Sequence, residues 1–239
     1  MGNNKSKIHT EKKFILGIIN PQNDFFKGGS LEVPNAEDII GPINKLRFLC
    51  YDYMNTFISQ DYHPPNHMSF ASTYNEKPFT NKKLSIVIKN DKLEINQTLW
   101  PNHCVQNTDG SNFHKDLIVI DEDQVVRKGA NKNVESYSAF GDDNHGKYED
   151  TGLYDFLKSK GITDIVIVGV ATDYCVYNTV LDTYFYGFNV HLILSCIRGV
   201  AVDTTTKAIN HMKELRNVTF YDNVEEFYKV NKTQFIKLF

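Results

Sequence analysis

The chain has 239 residues, 41% of them hydrophobic and 23% charged, with a formal net charge of −3. That length suits one sizeable core, and the scattered Lys and Arg leave no basic footprint for nucleic acid. No apolar run approaches membrane-spanning length, and the polar, basic stretch Met1–Lys13 lacks the apolar centre of a secretory signal.

The four cysteines, Cys50, Cys104, Cys175 and Cys196, are too few and too spread for a disulfide scaffold, and none form a C-x-x-C pair. Reduced thiols in a cytoplasmic protein follow, without a structural zinc knot. Met1-Gly2-Asn3-Asn4-Lys5-Ser6 fits the N-myristoylation pattern at Gly2. The plainer reading is a polar tail over residues 1–13, and one acyl chain would give only weak, reversible membrane association.

In chain order, Phe14–Ile19 is a continuous apolar run closed by Asn20-Pro21, which predicts a buried strand. Ala36–Tyr53 has helical spacing, with Pro42 in its first turns. Asn55–Ser59 reads as a strand ending at Gln60-Asp61, and Leu84–Ile95 as a hairpin-like excursion. Leu117–Ile120 and Gln124–Lys128 read as short strands. Leu153–Lys160 is a helix stopped at Gly161, and Asp164–Gly169 the clearest buried strand. Asp173–Tyr186 is a helix ended by Gly187 and Val190–Leu194 a strand. Thr204–Leu215 is a helix, Val218–Tyr221 a strand, and Asn223–Lys229 a last helix.

Strands alternating with helices imply a three-layer α/β/α domain around a parallel sheet, here one domain over residues 14–239. Ligands in such folds lie beyond the carboxyl ends of the strands. Four places qualify: Asn20, Asp61, Lys128, and the segment Val170–Cys175.

Cys175 falls in the first turn of a helix. Free N–H groups and the dipole there lower a thiol's pKa and hold an oxyanion, and a thiolate attacks a carboxamide carbon. Read alone, Cys175 is more simply a small buried hydrophobe, as Cys50, Cys104 and Cys196 are. Lys128 at a strand end is commonly a solvated charge; beside Cys175 it would stabilise the thiolate. Asp61 and His63 point to the same side of extended backbone and, with His103, could share a divalent metal; His67 is a fourth candidate. Phe25, Trp100 and Tyr137 would wall a flat heteroaromatic ring, although most aromatic residues are core.

Five ordered stretches carry a resemblance: GIINPQNDFFKGGSLEVP, ISQDYHPPNHMSFA, LWPNHCVQNTDGSNF, VVRKGANKNVESYSAF and IVGVATDYCVYNT. Together they resemble the nicotinamidases, members of the isochorismatase-like cysteine hydrolases, from about Phe14 to Leu194. The resemblance implies hydrolysis of the small molecule nicotinamide to nicotinate and ammonia in NAD salvage. Cys175 would be the nucleophile and Lys128 its electrostatic partner. Asp61, His63 and His103 would bind the metal, zinc first, with iron or manganese as alternatives, and that metal would orient the pyridine nitrogen. Phe25, Trp100 and Tyr137 would line the ring pocket. A cis peptide at Val170–Ala171 would aim the N–H groups of Ala171 and Cys175 at the oxyanion. His67 matches a histidine whose role varies and stays outside the ligand set.

One position departs. The family's general base is an aspartate ending the first strand, where this chain has Asn20. A carboxamide neither accepts the thiol proton nor protonates departing ammonia. Asp24, itself part of the family motif, is a poor replacement. An inactivating variant, a natural low-activity descendant and recruitment of another base all fit, and the isosteric exchange at a single damaging position favours the first. A nicotinamide-binding pseudoenzyme, a cysteine amidohydrolase of another substrate and a metal-hydroxide hydrolase are the competing readings. Oligomeric state is not legible, and a homo-oligomer is compatible.

Overall fold

Strand β1 (Phe14–Ile19) is buried at every position, as its unbroken apolar run requires. The computed structural model describes residues 12–235 except 53, 143 and 144, so the pattern at Gly2 lies outside the described residues. After β1 come α1 (Ile40–Cys50), β2 (Asn55–Asp61), the hairpin β3 (Asn81–Ile88) and β4 (Asp91–Thr98), and β5 (Gln124–Lys128). The second half holds α2 (Leu153–Ser159), β6 (Asp164–Val170), α3 (Tyr177–Phe185), β7 (Asn189–Arg198), α4 (Val202–Glu214), β8 (Val218–Tyr221) and α5 (Val224–Phe235).

Six strands form one parallel sheet in the order β5-β2-β1-β6-β7-β8. Alternation along β1 sends Phe14, Leu16 and Ile18 to one core with Ile43 and Leu46 of α1 and Phe227 of α5. Ile15 and Ile19 go to the other, with Leu157 of α2, Val180 of α3 and Met212 of α4. Each such side chain contributes roughly 1.5–3 kcal/mol on burial, so the two-sided burial fixes the strand's register. The result is the expected three-layer α/β/α arrangement.

Chain order runs outward from β1 to β2 and β5, then returns to the far side of β1 with β6. The order therefore reverses between β1 and β6, which makes a crevice at their carboxyl ends. Asn20 and the segment before Cys175 leave the sheet there.

Two expectations fail locally. Leu117–Ile120 is not a strand. The Asn44 side chain donates to the Asp116 carbonyl (2.7 Å) and accepts from the Ile118 N–H (2.9 Å), so these backbone groups bond to a side chain instead of a ladder, and Ile118 and Val119 stay exposed. The helix expected from Asp173 begins instead with a π-type turn, Thr172–Val176, before α3. The hairpin is longer than expected and turns through Lys89 and Asn90, both at positive φ (48° and 71°), the geometry that matches strand twist in two-residue turns.

Candidate active site

Register places the first pair. In the β2–β5 ladder Asp61 lies directly beside Lys128, and the Lys128 ammonium sits 2.6 Å from Asp61 Oδ1. The same ammonium donates to the Ser136 carbonyl (2.8 Å) and to the Cys175 sulfur (3.4 Å). Burial alone would lower the Lys128 pKa, but its interaction with Asp61, and to a lesser degree with Cys175, outweighs it and holds the ammonium above its usual range.

Cys175 comes from the turn after β6. The carbonyl of Ala171 accepts from the N–H of Tyr174 (3.0 Å) and of Val176 (3.1 Å), passing over Cys175. Turns of this kind recur at functional sites. The Val170–Ala171 peptide is cis. One expectation is corrected here: the thiol is not acidified. Cys175 is 7% exposed, and burial, opposed by Lys128 and reinforced by Asp61 and Glu135, pushes its pKa up to about 12. Desolvation of an anion outweighs a single helix end.

Asn20 does not line the pocket that holds Cys175; it stands behind Asp61. Its Nδ2 donates to Asp61 Oδ2 (2.9 Å), and its Oδ1 accepts from the Ser59 hydroxyl (2.6 Å). Its φ of +47° is a left-handed conformation that Asn tolerates better than most residues. Asp24 is occupied elsewhere, accepting from the N–H of Cys104 (2.6 Å) and of Ser30 (3.2 Å).

The ligating atoms of Asp61, His63 and His103 lie within 4.8 Å of one another, all buried. His63 Nδ1 faces the Gly129 carbonyl (2.9 Å) and His103 Nδ1 the Pro101 carbonyl (2.8 Å). A carbonyl only accepts, so each Nδ1 carries the proton and each Nε2 keeps a free lone pair. Burial lowers both histidines' pKa, well below the ordinary value for His63, which keeps the rings neutral. Two imidazoles and one carboxylate suit zinc, and also iron or manganese. His67, by contrast, has Nε2 against the Val134 carbonyl (2.9 Å) and Nδ1 against the Ser69 hydroxyl (2.7 Å); with His63 and Glu135 it forms a second buried group whose ligating atoms lie within 4.8 Å of one another.

Gly129 completes the seat. Its φ is +63°, and a Cβ there would lie 2.3 Å from His63 Cε1. The loop after it is tied down by Glu149, whose carboxylate accepts from the N–H of Gly129, Ala130 and Asn131 and from the Ser136 hydroxyl (2.6 Å).

Phe25, Trp100, Tyr137 and Ala171 surround one cavity together with Asp61, His63, His103, Lys128 and Cys175. Trp100 Nε1 donates to the Tyr137 hydroxyl (3.0 Å), and Tyr174 meets the Trp100 ring edge-on at 4.9 Å. Sequence reasoning missed Tyr174, Leu31, Val33 and Val200 on these walls. It also missed Glu135, whose carboxyl is pushed up by burial and by Asp61. An acid between Lys128 and Tyr137 in one quoted stretch was the available signal for Glu135.

Residues 14–222 match the isochorismatase domain family. The nicotinamidase of Escherichia coli is 39% identical over 194 residues, 81% of this chain and 86% of that protein. The yeast nicotinamidase structure superposes with a TM-score of 0.81 at 29% identity, over 88% of this chain and all of that one. The pyrazinamidase of Pyrococcus horikoshii in complex with zinc gives a TM-score of 0.70 at 28% identity, covering 87% and 98%. The strand order, the carboxyl-end crevice and the matched span agree, and the chain belongs to the isochorismatase family.

Proposed function

We propose that this chain is a nicotinamidase, which hydrolyses nicotinamide to nicotinate and ammonia through a thioester at Cys175 and serves NAD salvage, with turnover slowed by Asn20. The supporting observation is the Cys175 sulfur 3.4 Å from Lys128, in a cavity also lined by Phe25, Trp100, Tyr137, Asp61, His63 and His103. Zinc is the metal proposed for those three residues; when bound it would hold the pyridine nitrogen and so orient the ring.

Phe25, Trp100 and Tyr137 clasp the ring faces, leaving the carboxamide toward Cys175. The sulfur attacks the carboxamide carbon, and the N–H groups of Ala171 and Cys175 face the resulting oxyanion. The thiol proton passes to the departing nitrogen as the C–N bond breaks and ammonia leaves; water then adds to the thioester carbon, giving nicotinate while the sulfur takes back a proton. Lys128 offsets negative charge on sulfur. The proton acceptor is the weak part: the thiol is held protonated near 12, and the carboxamide of Asn20 cannot take that proton. Coupled measurement of ammonia and nicotinate from nicotinamide tests the proposal. Product from this chain that vanishes in Cys175→Ala supports it, whereas undiminished product from Cys175→Ala overturns it.

A thiol that burial holds protonated, with no carboxylate at position 20 to take its proton, favours a second reading, a nicotinamide-binding pseudoenzyme. It requires nicotinamide to bind Cys175→Ala as well as the unaltered chain, and no nicotinate to form even from Asn20→Asp.

A further inference from the structure

Residues 129–136, which follow β5, form neither strand nor helix, and they carry two carbonyls on which the site depends. The Gly129 carbonyl accepts from His63 Nδ1 (2.9 Å) and so fixes that ring's tautomer, while the Ser136 carbonyl accepts from the Lys128 ammonium (2.8 Å). The middle of the segment is pinned by the Met68 N–H, which donates to the Lys132 carbonyl (2.8 Å). Its two ends are held by a single side chain.

That side chain is Glu149, which does not itself line the cavity of Cys175. Its Oε2 accepts from the Gly129 N–H (3.2 Å) and the Ser136 hydroxyl (2.6 Å), and its Oε1 from the N–H groups of Ala130 (2.9 Å) and Asn131 (3.2 Å). Successive N–H groups about a left-handed residue make an anion-binding concavity, and bonds to an ionised acceptor are roughly twice as strong as neutral ones. Glu149 is anchored in turn, its N–H donating to Asp142 Oδ2 (2.9 Å) and its carbonyl accepting from the Asp142 N–H (3.0 Å). A glutamine could not replace it. Whichever way the amide turned, its NH2 would face at least one backbone N–H, donor against donor.

We propose that Glu149 is a positioning residue for the reaction, one carboxylate that sets His63 toward the metal through Gly129 and Lys128 toward the thiol through Ser136. The inference rests on the roles proposed above for His63, Lys128 and Cys175. The full chain, Glu149→Gln and Ser136→Ala are compared in two measurements on folded protein. One is zinc affinity in competition with a chromogenic chelator; the other is the rate of Cys175 alkylation in chelated protein at one mildly alkaline pH. Glu149→Gln is expected to weaken zinc about tenfold, the lower end for a partner that supports a ligand. It is also expected to slow alkylation about threefold, the loss of thiolate for half a unit's rise in pKa. Ser136→Ala severs only the second path, so alkylation should slow while zinc affinity holds. Either reading unchanged in Glu149→Gln would overturn the proposal, because a tie that merely stabilises the loop lowers the melting temperature and moves neither. Should Glu149→Gln not fold, Ser136→Ala decides, and unchanged alkylation there overturns it. An unaltered chain that takes up no zinc would strike the metal assignment and the His63 path with it, whereas alkylation of chelated protein would still decide the Lys128 path.

Discussion

Lys128 holds one ammonium 2.6 Å from Asp61 and 3.4 Å from the sulfur of Cys175. The cation thus spans a carboxylate and a thiol. Burial of the thiol outweighs the pull of Lys128, so the sulfur keeps its proton.

Restoring the carboxylate should therefore release the chemistry. Asn20→Asp is expected to raise kcat for ammonia release from nicotinamide by roughly 10²–10⁴-fold, the usual worth of a positioned acid–base group. Turnover that stays at the level of the unaltered chain would remove Asn20 from the mechanism.

The thiol itself offers a pH readout. In metal-free protein, alkylation of Cys175 by iodoacetamide should rise close to tenfold per pH unit from pH 8 toward the pKa near 12. The folded pKa exceeds the ordinary value of 9.0, so the folded state binds this proton more tightly than the unfolded one. The associated stability is complete below pH 9 and declines as pH rises toward 12. Lys128→Met should slow alkylation at every pH, because Lys128 lowers the thiol pKa. A rate that levels off below pH 9 would contradict this ordering of burial over Lys128.

Metal content tests the other wall of the cavity. Chelated protein dialysed against zinc should take up one equivalent per chain by elemental analysis. His103→Ala, which removes an Nε2 donor, should weaken uptake by far more than tenfold, since even supporting partners of ligands are worth 10–100-fold. Stoichiometric zinc in His103→Ala would exclude His103 from the set.

Gly129→Ala probes how the seat is built. The added methyl meets the His63 ring at 2.3 Å in a left-handed backbone, so the variant should lose about 1–3 kcal/mol in urea denaturation and bind zinc more weakly. Full stability would mean that His63 yields freely, against its bond to the Gly129 carbonyl.

Much of the fold was legible because periodicity speaks directly to burial. The ends of β1 fell where FILGII meets Asn20-Pro21, and α1 followed its apolar spacing past Pro42. Leu117–Ile120 misled because an apolar run does not reveal where its backbone hydrogen bonds go; Asn44, more than seventy residues earlier, took them. The strand ends marked Asp61 and Lys128, but their adjacency is a matter of ladder register, which no local pattern carries. The thiol shift was misjudged for a related reason: helix position is readable in a sequence, whereas the depth of burial that overrides it comes from packing by distant segments.

Asn20 completes two bonds that need opposite polarity, donating to Asp61 and accepting from Ser59. A carboxylate in its place can only accept, and would set two buried anions face to face. The Asn20→Asp protein should consequently melt at a lower temperature while it turns over faster. The carboxamide therefore ties the end of β1 to β2 through bonds that an aspartate could not both keep.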